Sequence, residues 1–445
     1  MHTLAQLRAG KLAGATRLDL SEGLREFPRE IFDLADTLEI LNLSGNRLSA
    51  LPPDLGRLRK LRILFCSENQ FTTLPEVLGE CPELSMIGFK ANQIQTLPAA
   101  ALPPKLRWLI LTDNKLRELP PEIGRCPRLQ KLMLAGNQLR ELPETLANCT
   151  NLELLRIAAN RLPNLPEWLL TMPRLTWLAF AGNPFSEPAQ AAAEARSPIQ
   201  AIDWNELTVE HKLGEGASGV IYRAQWQSSV ATAEAVAVKL FKGALTSDGL
   251  PRSEMVACIS AGTHPNLIKV KGQIVGHPTQ AEGLVLELID PAFGNLAGPP
   301  SFASCTRDVY ASDARFTPEA ALRIARGVAS ATAHLHARGI LHGDLYAHNI
   351  LTSPAGQALL SDFGAACFFT PGQPSVTQAL QRLEVRAFGC LLEELLERTN
   401  FAATPAAAQA LWALQQQCVQ PSVAARPLFL EIQEVLAEVS GSDQR

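Results

Sequence analysis

The sequence predicts two units of different architecture: an α/β solenoid of about eight coils over residues 1–185 and, after a spacer at 186–204, a second domain over 205–440. Three observations carry this reading. A pattern of about 23 residues recurs up to Asn183, and it vanishes near Trp204. Beyond that point glycines, a lysine and a set of acidic and amide residues follow in a fixed order. The 445 residues exceed one typical domain of roughly 100–200 residues. An apolar fraction of 47% against 19% charged supplies a core and excludes global disorder.

The asparagines Asn46, Asn69, Asn92, Asn114, Asn137, Asn160 and Asn183 are spaced 23, 23, 22, 23, 23 and 23 residues apart, with Gly23 in the same slot one copy earlier. Each copy reads L-x-x-L-x-L-x-x-N-x-L-x-x-L-P, which resembles the leucine-rich repeat. The alternating x-L-x-L forms a short strand with leucines turned into the solenoid. The asparagine satisfies backbone groups at the turn, and proline bends the chain into the return. One coil cannot bury its leucines alone, so the coils must stack. Cys81, Cys126 and Cys149 share one slot of successive returns and read as small core residues. Outward strand positions form an apolar row of Ile40, Ile63, Met86, Trp108, Lys131, Leu154 and Trp177, with Phe65, Ile110 and Met133 beside it. A contiguous apolar stripe on a concave sheet predicts a surface for a protein partner, with Trp108, Trp177, Ile63 and Met133 in contact; packing against the protein's own second half is the alternative.

The segment 186–204, rich in Ala, Pro and Glu, reads as a spacer or short helix. After it, "KLGEGASGVIYRA" places Gly214, Gly216 and Gly219 before Val220, and Lys239 lies in the apolar strand "AVAVKLF" twenty residues on. A lysine there needs a partner, and Glu254 on the following helical segment can supply it. "GLVLELID" reads as a buried strand running into a hinge. "LHGDLYAHNILTSPAGQALLSDFGAA" sets Asp344 and Asn349 five apart and Asp362-Phe363-Gly364 eighteen residues after Asp344.

Taken together, these motifs resemble a eukaryotic-type protein kinase domain, an α+β bilobal fold. The resemblance implies ATP and Mg²⁺ as cofactors. It places Leu213, Gly214, Gly216, Gly219 and Val220 over the nucleotide, and the backbone of Glu287 to Ile289 on adenine, with Leu286 at the gate. It gives Lys239 the α- and β-phosphates, with Glu254 orienting it, Asp344 the acceptor hydroxyl, and Asn349 and Asp362 the metal. His342 and Phe363 become internal packing links.

Four departures stand out. Gly343 replaces the arginine of H-R-D, which removes the usual partner of a phosphorylated loop. Tyr346 stands where Ser/Thr kinases place a lysine, and His348 where tyrosine kinases place an arginine. The stretch from Asp362 to Glu384 is about 22 residues and lacks A-P-E, so Arg426 is expected to find another partner. Glu384 occupies the place where the central helix of the large lobe usually begins with aspartate.

The expected function is an ATP-dependent protein kinase whose repeats recruit a protein partner or substrate, with serine or threonine favoured by the family's base rate. The alternatives are a nucleotide-binding pseudokinase scaffold and a small-molecule phosphotransferase. A net charge of −4, with 40 basic residues among 44 acidic ones, excludes a general nucleic-acid or membrane-surface binder. Arg8 and Lys11 interrupt any leader, and no run approaches the ~18–20 apolar residues of a spanning helix. Nine cysteines without a C-x-x-C pair point to a reducing compartment, so a cytoplasmic location is expected. Glu282, Glu319, His334 and His336 read as ordinary solvated residues.

Overall fold

The computed structural model describes residues 2–216, 218–227, 233–370 and 374–442. The chain divides into two compact units. The first runs to Arg174 and includes Asn183–Phe185; the second comprises Leu175–Gly182 and the chain from Ser186 onward.

The first unit opens with the short helix α1 (Leu4–Arg8). Seven three-residue strands follow, one per coil: β1 (Arg17–Asp19), β2 (Ile40–Asn42), β3 (Ile63–Phe65), β4 (Met86–Gly88), β5 (Trp108–Ile110), β6 (Lys131–Met133) and β7 (Leu154–Arg156). They pair in parallel and in register, so that Arg17, Ile40, Ile63, Met86, Trp108, Lys131 and Leu154 form one row. The middle residue of each strand, from Leu18 to Leu155, is fully buried, as the two-residue period requires. Most returns are 3₁₀ turns opened by proline, as at Pro120 before Pro121–Arg125.

Asparagines tie successive coils together. Asn114 Oδ1 accepts the Ile94 N–H at 2.9 Å, while Nδ2 donates to Phe89 O at 2.9 Å and to Leu111 O at 3.1 Å. Asn137 repeats the pattern one coil later. The return cysteines are inert: burial pushes the Cys81 and Cys126 thiols up to about 11 and that of Cys149 to about 12. On the row of outward positions the Lys131 ammonium lies 4.4 Å from the centre of the Trp108 ring, a cation–π contact.

The eighth strand, β8 (Trp177–Ala179), belongs to the second unit. The stretch read as a spacer or short helix holds a helix, α2 (Glu187–Arg196), and also β9 (Ala201–Asp203), which joins the sheet that follows. That sheet has the order β10-β11-β12-β14-β13-β9, with β10 Leu207–Glu215, β11 Gly219–Trp226, β12 Glu234–Phe241, β13 Val270–Val275 and β14 Gly283–Glu287. Ile202, Leu207, Ala224, Val236, Val238, Ile274 and Val285 form its core, and α3 (Pro251–Ala261) lies between β12 and β13 in the chain.

Among the described residues the larger lobe holds four α-helices: α4 (Pro318–Ala337), α5 (Pro374–Glu397), α6 (Pro405–Cys418) and α7 (Phe429–Ser442). Two small ladders complete it. One joins β15 (Gly294–Asn295), β17 (Ile350–Thr352) and β18 (Ala358–Leu360); the other pairs β16 (Ile340–Leu341) with β19 (Cys367–Phe368). Among the described residues no helix is long and apolar enough to cross a membrane.

Truncating the asparagine ladder tests the stacking account. Asn114→Ala leaves the buried Ile94 N–H without its partner, at a cost of about 1–3 kcal/mol, while Phe89 O and Leu111 O keep the Asn92 and Asn137 amides. Urea unfolding of the variant is expected to show a loss in at least that range; a loss under about 0.5 kcal/mol, typical of surface substitutions, would contradict it.

Candidate active site

The upper wall of the site is built on β12, which pairs with β11 on one side and β14 on the other and therefore has little freedom. Lys239 projects from it and meets Glu254 Oε1 in an ion pair; their side chains are 14% and 1% exposed. Burial would pull the Lys239 ammonium down, but the charges of Glu254 and Asp362 and the hydrogen bond to Glu254 outweigh it and hold the lysine above its ordinary value. The turn between β10 and β11 closes with a Gly216 N–H bond to Gly219 O at 2.9 Å. A Cβ on Gly219 would come within 2.5 Å of Leu240 O, so glycine is required there. Cβ atoms on Gly214 or Gly216 would meet nothing within 4 Å, which leaves their backbone open to a ligand.

The lower wall is the loop His342–Asn349. Asn349 Nδ2 donates to Asp344 O at 3.0 Å and to Asp344 Oδ2 at 2.8 Å, which fixes the two side chains together. His342 accepts the Asp344 N–H at Nδ1, donates from Nε2 to Ser361 O at 2.8 Å and packs 5.3 Å from the Phe363 ring. It is thus the internal link that the motif set implied. Asp362 adopts a left-handed φ of +54° and accepts the Gly364 N–H at 3.0 Å.

Between these walls lies a cavity of about 420 Å³, lined among others by Gly216, Gly219, Lys239, Leu286, Asn349 and Asp362. Asp344 is not among the lining residues and is tied to one of them, Asn349, by the bonds above. Val220, at the start of β11, and Glu287 and Ile289, at and just after the end of β14, are not among its lining residues, nor are Gly214 and Leu213, the latter 48% exposed. The donor set suits a hard divalent cation. Asn349 has committed its amide nitrogen to Asp344, so its carbonyl and the Asp362 carboxylate are the oxygens available. Among the described residues no cluster of three or more His, Cys, Asp or Glu could hold a metal, so two protein ligands would depend on phosphate oxygens for the remainder.

The departures have physical reasons. Gly343 has φ +73°, and a Cβ there would lie 2.5 Å from Ala365 O and 2.9 Å from Leu178 O, so no side chain fits. The loop is held instead by Glu384, whose carboxylate accepts the N–H groups of His342 (3.3 Å) and Gly343 (2.6 Å) and a His336 Nε2–H bond at 2.7 Å. Burial would push the Glu384 carboxyl up; the His336 and His342 rings and the Gly343 N–H outweigh it and hold it below its ordinary 4.5. His336 is therefore buried and engaged, not solvated as the sequence suggested; His334 donates to Ala261 O at 2.7 Å. The central helix begins at Pro374, ten residues before Glu384, so the segment after Asp362 is shorter still than the sequence indicated. Arg426 spends its guanidinium on the carbonyls of Gln420 and Arg382.

Tyr346 does not line the cavity. Its ring stacks on Trp177 with centroids 4.1 Å apart and planes at 7°. Trp177 is 2% exposed and is consequently not available as an anchor for a partner; it takes the alternative reading, packing against the second half of the chain. His348 does line the cavity. Its Nδ1–H donates to Asp308 Oδ1 at 2.7 Å, and its backbone N–H to Oδ2 at 3.0 Å. Burial alone would lower its pKa, but Asp308, with Asp344 and Asp362 behind it, holds it above the ordinary value. Asp308 escaped the sequence reading because nothing local links it to a residue forty positions away.

Comparison with known proteins agrees with this architecture. Residues 207–387 match the family model for protein tyrosine and serine/threonine kinases, and residues 36–101 and 104–162 match leucine rich repeat models. The chain is 32% identical over 181 residues to the serine/threonine-protein kinase PkaA of Streptomyces coelicolor, covering 36% of this chain and 30% of that protein. It is 26% identical over 208 residues to human cyclin-dependent kinase 10, covering 42% and 53%, and 28% identical over 190 residues to cyclin-dependent kinase C-2 C of Arabidopsis thaliana, covering 41% and 26%. The chain spans well under two thirds of the length of these curated relatives. It carries leucine-rich repeats followed by a protein kinase domain.

Two substitutions test the loop geometry. Gly343→Ala is expected to destabilise the chain by about 2–5 kcal/mol, from roughly 1–2 for the left-handed backbone and roughly 1–3 for overpacking. An unchanged urea midpoint would contradict the close approach. A depressed carboxyl contributes stability that is present above its unfolded-state value and lost as pH falls through the folded one. Glu384→Gln should therefore flatten the acid limb of the stability–pH curve below about 4.5, read by urea unfolding at stepped pH; a parallel curve would show that Glu384 carries no such linkage.

Proposed function

We propose that the chain is an ATP-dependent, Mg²⁺-requiring protein kinase acting on serine or threonine, with the repeats holding a protein partner or substrate. The observation that carries this reading is the buried Lys239–Glu254 pair on one wall of a cavity whose other wall presents Asn349 and Asp362, in the order the family motifs require. In this reading the backbone of Gly214, Gly216 and Gly219 approaches the phosphates without steric hindrance, with Leu213 and Val220 flanking the nucleotide and the backbone of Glu287 to Ile289 on adenine. Lys239, held charged and oriented by Glu254, binds the α- and β-phosphate oxygens. Asp344, fixed by Asn349, positions the acceptor hydroxyl and receives its proton. Asn349 and Asp362 hold the metal, which when bound neutralises charge on the phosphoryl group. His348, whose pKa Asp308 raises, lines the cavity at the position where tyrosine kinases place an arginine.

A second reading is a nucleotide-binding scaffold. It is favoured by the short distance from Asp362 to the start of α5 at Pro374, which leaves little chain for a peptide platform.

Transfer of labelled γ-phosphate from ATP with Mg²⁺ tests the proposal. The wild-type chain is expected to label protein, and Asp344→Ala to lower the rate by about 10²–10⁴, the usual contribution of a positioned acid–base group. Chelating the metal should abolish transfer. Retained nucleotide binding with no transfer would select the scaffold, and label on a small hydroxylated acceptor in preference to protein would select a small-molecule phosphotransferase.

A further inference from the structure

We propose that β8 is a structural support of the catalytic loop and that Trp177 is a positioning residue for Asp344, a role that rests on the kinase reading above. The repeat period ends in this strand, yet its residues Leu175–Gly182 belong to the compact unit that contains the loop. Its contacts there converge on the residues around Asp344. Trp177 Nε1–H donates to Leu345 O at 3.2 Å, satisfying a buried carbonyl one residue after the aspartate. The indole face lies flat on Tyr346, the next residue. Leu178 O closes on Gly343, one residue before the aspartate, at a distance that only glycine permits. The Phe180 N–H donates to Cys367 Sγ at 3.0 Å, and Cys367 lies on β19, which pairs with β16 immediately before the loop.

The loop is thus held from two directions. Glu384 takes the N–H groups of His342 and Gly343, and Trp177 takes the carbonyl of Leu345. This second hold compensates for what the chain lacks: an arginine at position 343 and a long segment between Asp362 and α5. The stack has a further consequence. With its ring committed to Trp177, Tyr346 stays outside the cavity wall, where it would otherwise occupy space beside the transferred group. Tryptophan suits the position because one side chain supplies both a flat ring and an N–H donor.

The test uses the full chain and three proteins: wild type, Trp177→Phe, which keeps a ring without the N–H, and Trp177→Leu, which removes both. Two readouts separate positioning from simple core filling. The first is amide hydrogen exchange at Tyr346 and Asn349, whose N–H groups bond to Asp344 O and Tyr346 O within the loop. The second is kcat against KM for ATP. Trp177→Leu is expected to speed exchange at these amides at least tenfold and to lower kcat at least tenfold while KM for ATP stays within about threefold, because the walls around Lys239 are untouched; Trp177→Phe should fall between. Unchanged loop exchange in both variants, or exchange that rises equally throughout the chain, would overturn the proposal. A wild-type chain that transfers no phosphate overturns the kinase reading instead, and loop exchange then decides the support role by itself.

Discussion

A carboxylate sealed from water must find donors, and the second unit is organised around one that does. Glu384, in the third turn of α5, gathers two consecutive backbone N–H groups of the loop that carries Asp344 and the His336 ring from α4. Leaving such a charge unpaired by removing a partner costs about 3–5 kcal/mol, so helix and loop hold each other in place. The loop then orders the rest. Asp344 is fixed through Asn349, and His342 reaches Ser361 and packs on Phe363, which sets the approach to Asp362.

The site faces that frame from two lobes with different kinds of rigidity. Above, Lys239 sits on an interior strand and takes its direction from a buried glutamate on α3. Below, the acidic and amide groups hang on a loop of irregular backbone, where hydrogen bonds rather than a ladder fix each side chain. A cavity between a cationic wall and an oxygen-donor wall is complementary to a phosphate chain carrying a divalent cation. The glycine turn adds backbone that a ligand can approach closely.

Much of this was legible in the sequence because it is written in local repeats and fixed spacings. The in-phase asparagines and alternating leucines gave the solenoid, and the polar bonds made by Asn114 and Asn137 are those their slot demands. Lys239, Glu254, Asn349 and Asp362 come together on the cavity, as the motif order implied. What escaped was long-range. The reason for Gly343 is a pair of backbone oxygens, one of them 165 positions upstream at Leu178. Trp177 looked like its repeat-equivalent Trp108, yet pairs with a residue 168 positions away. His336 shows no local sign of burial, since its partner Glu384 lies 48 residues downstream. The Ala- and Pro-rich stretch takes the short helix its reading allowed, α2, where Gln190 bonds Ser253 on α3; the strand β9 escaped because its order comes from pairing with β13.

The central claim is that the cavity binds a nucleotide together with its metal, and calorimetric titration of ATP into the full chain, with and without Mg²⁺, tests it most directly. The account predicts saturable one-site binding that strengthens with Mg²⁺ and weakens at least tenfold in Lys239→Met. Binding that ignores both the metal and the lysine, or no binding at all, would contradict it.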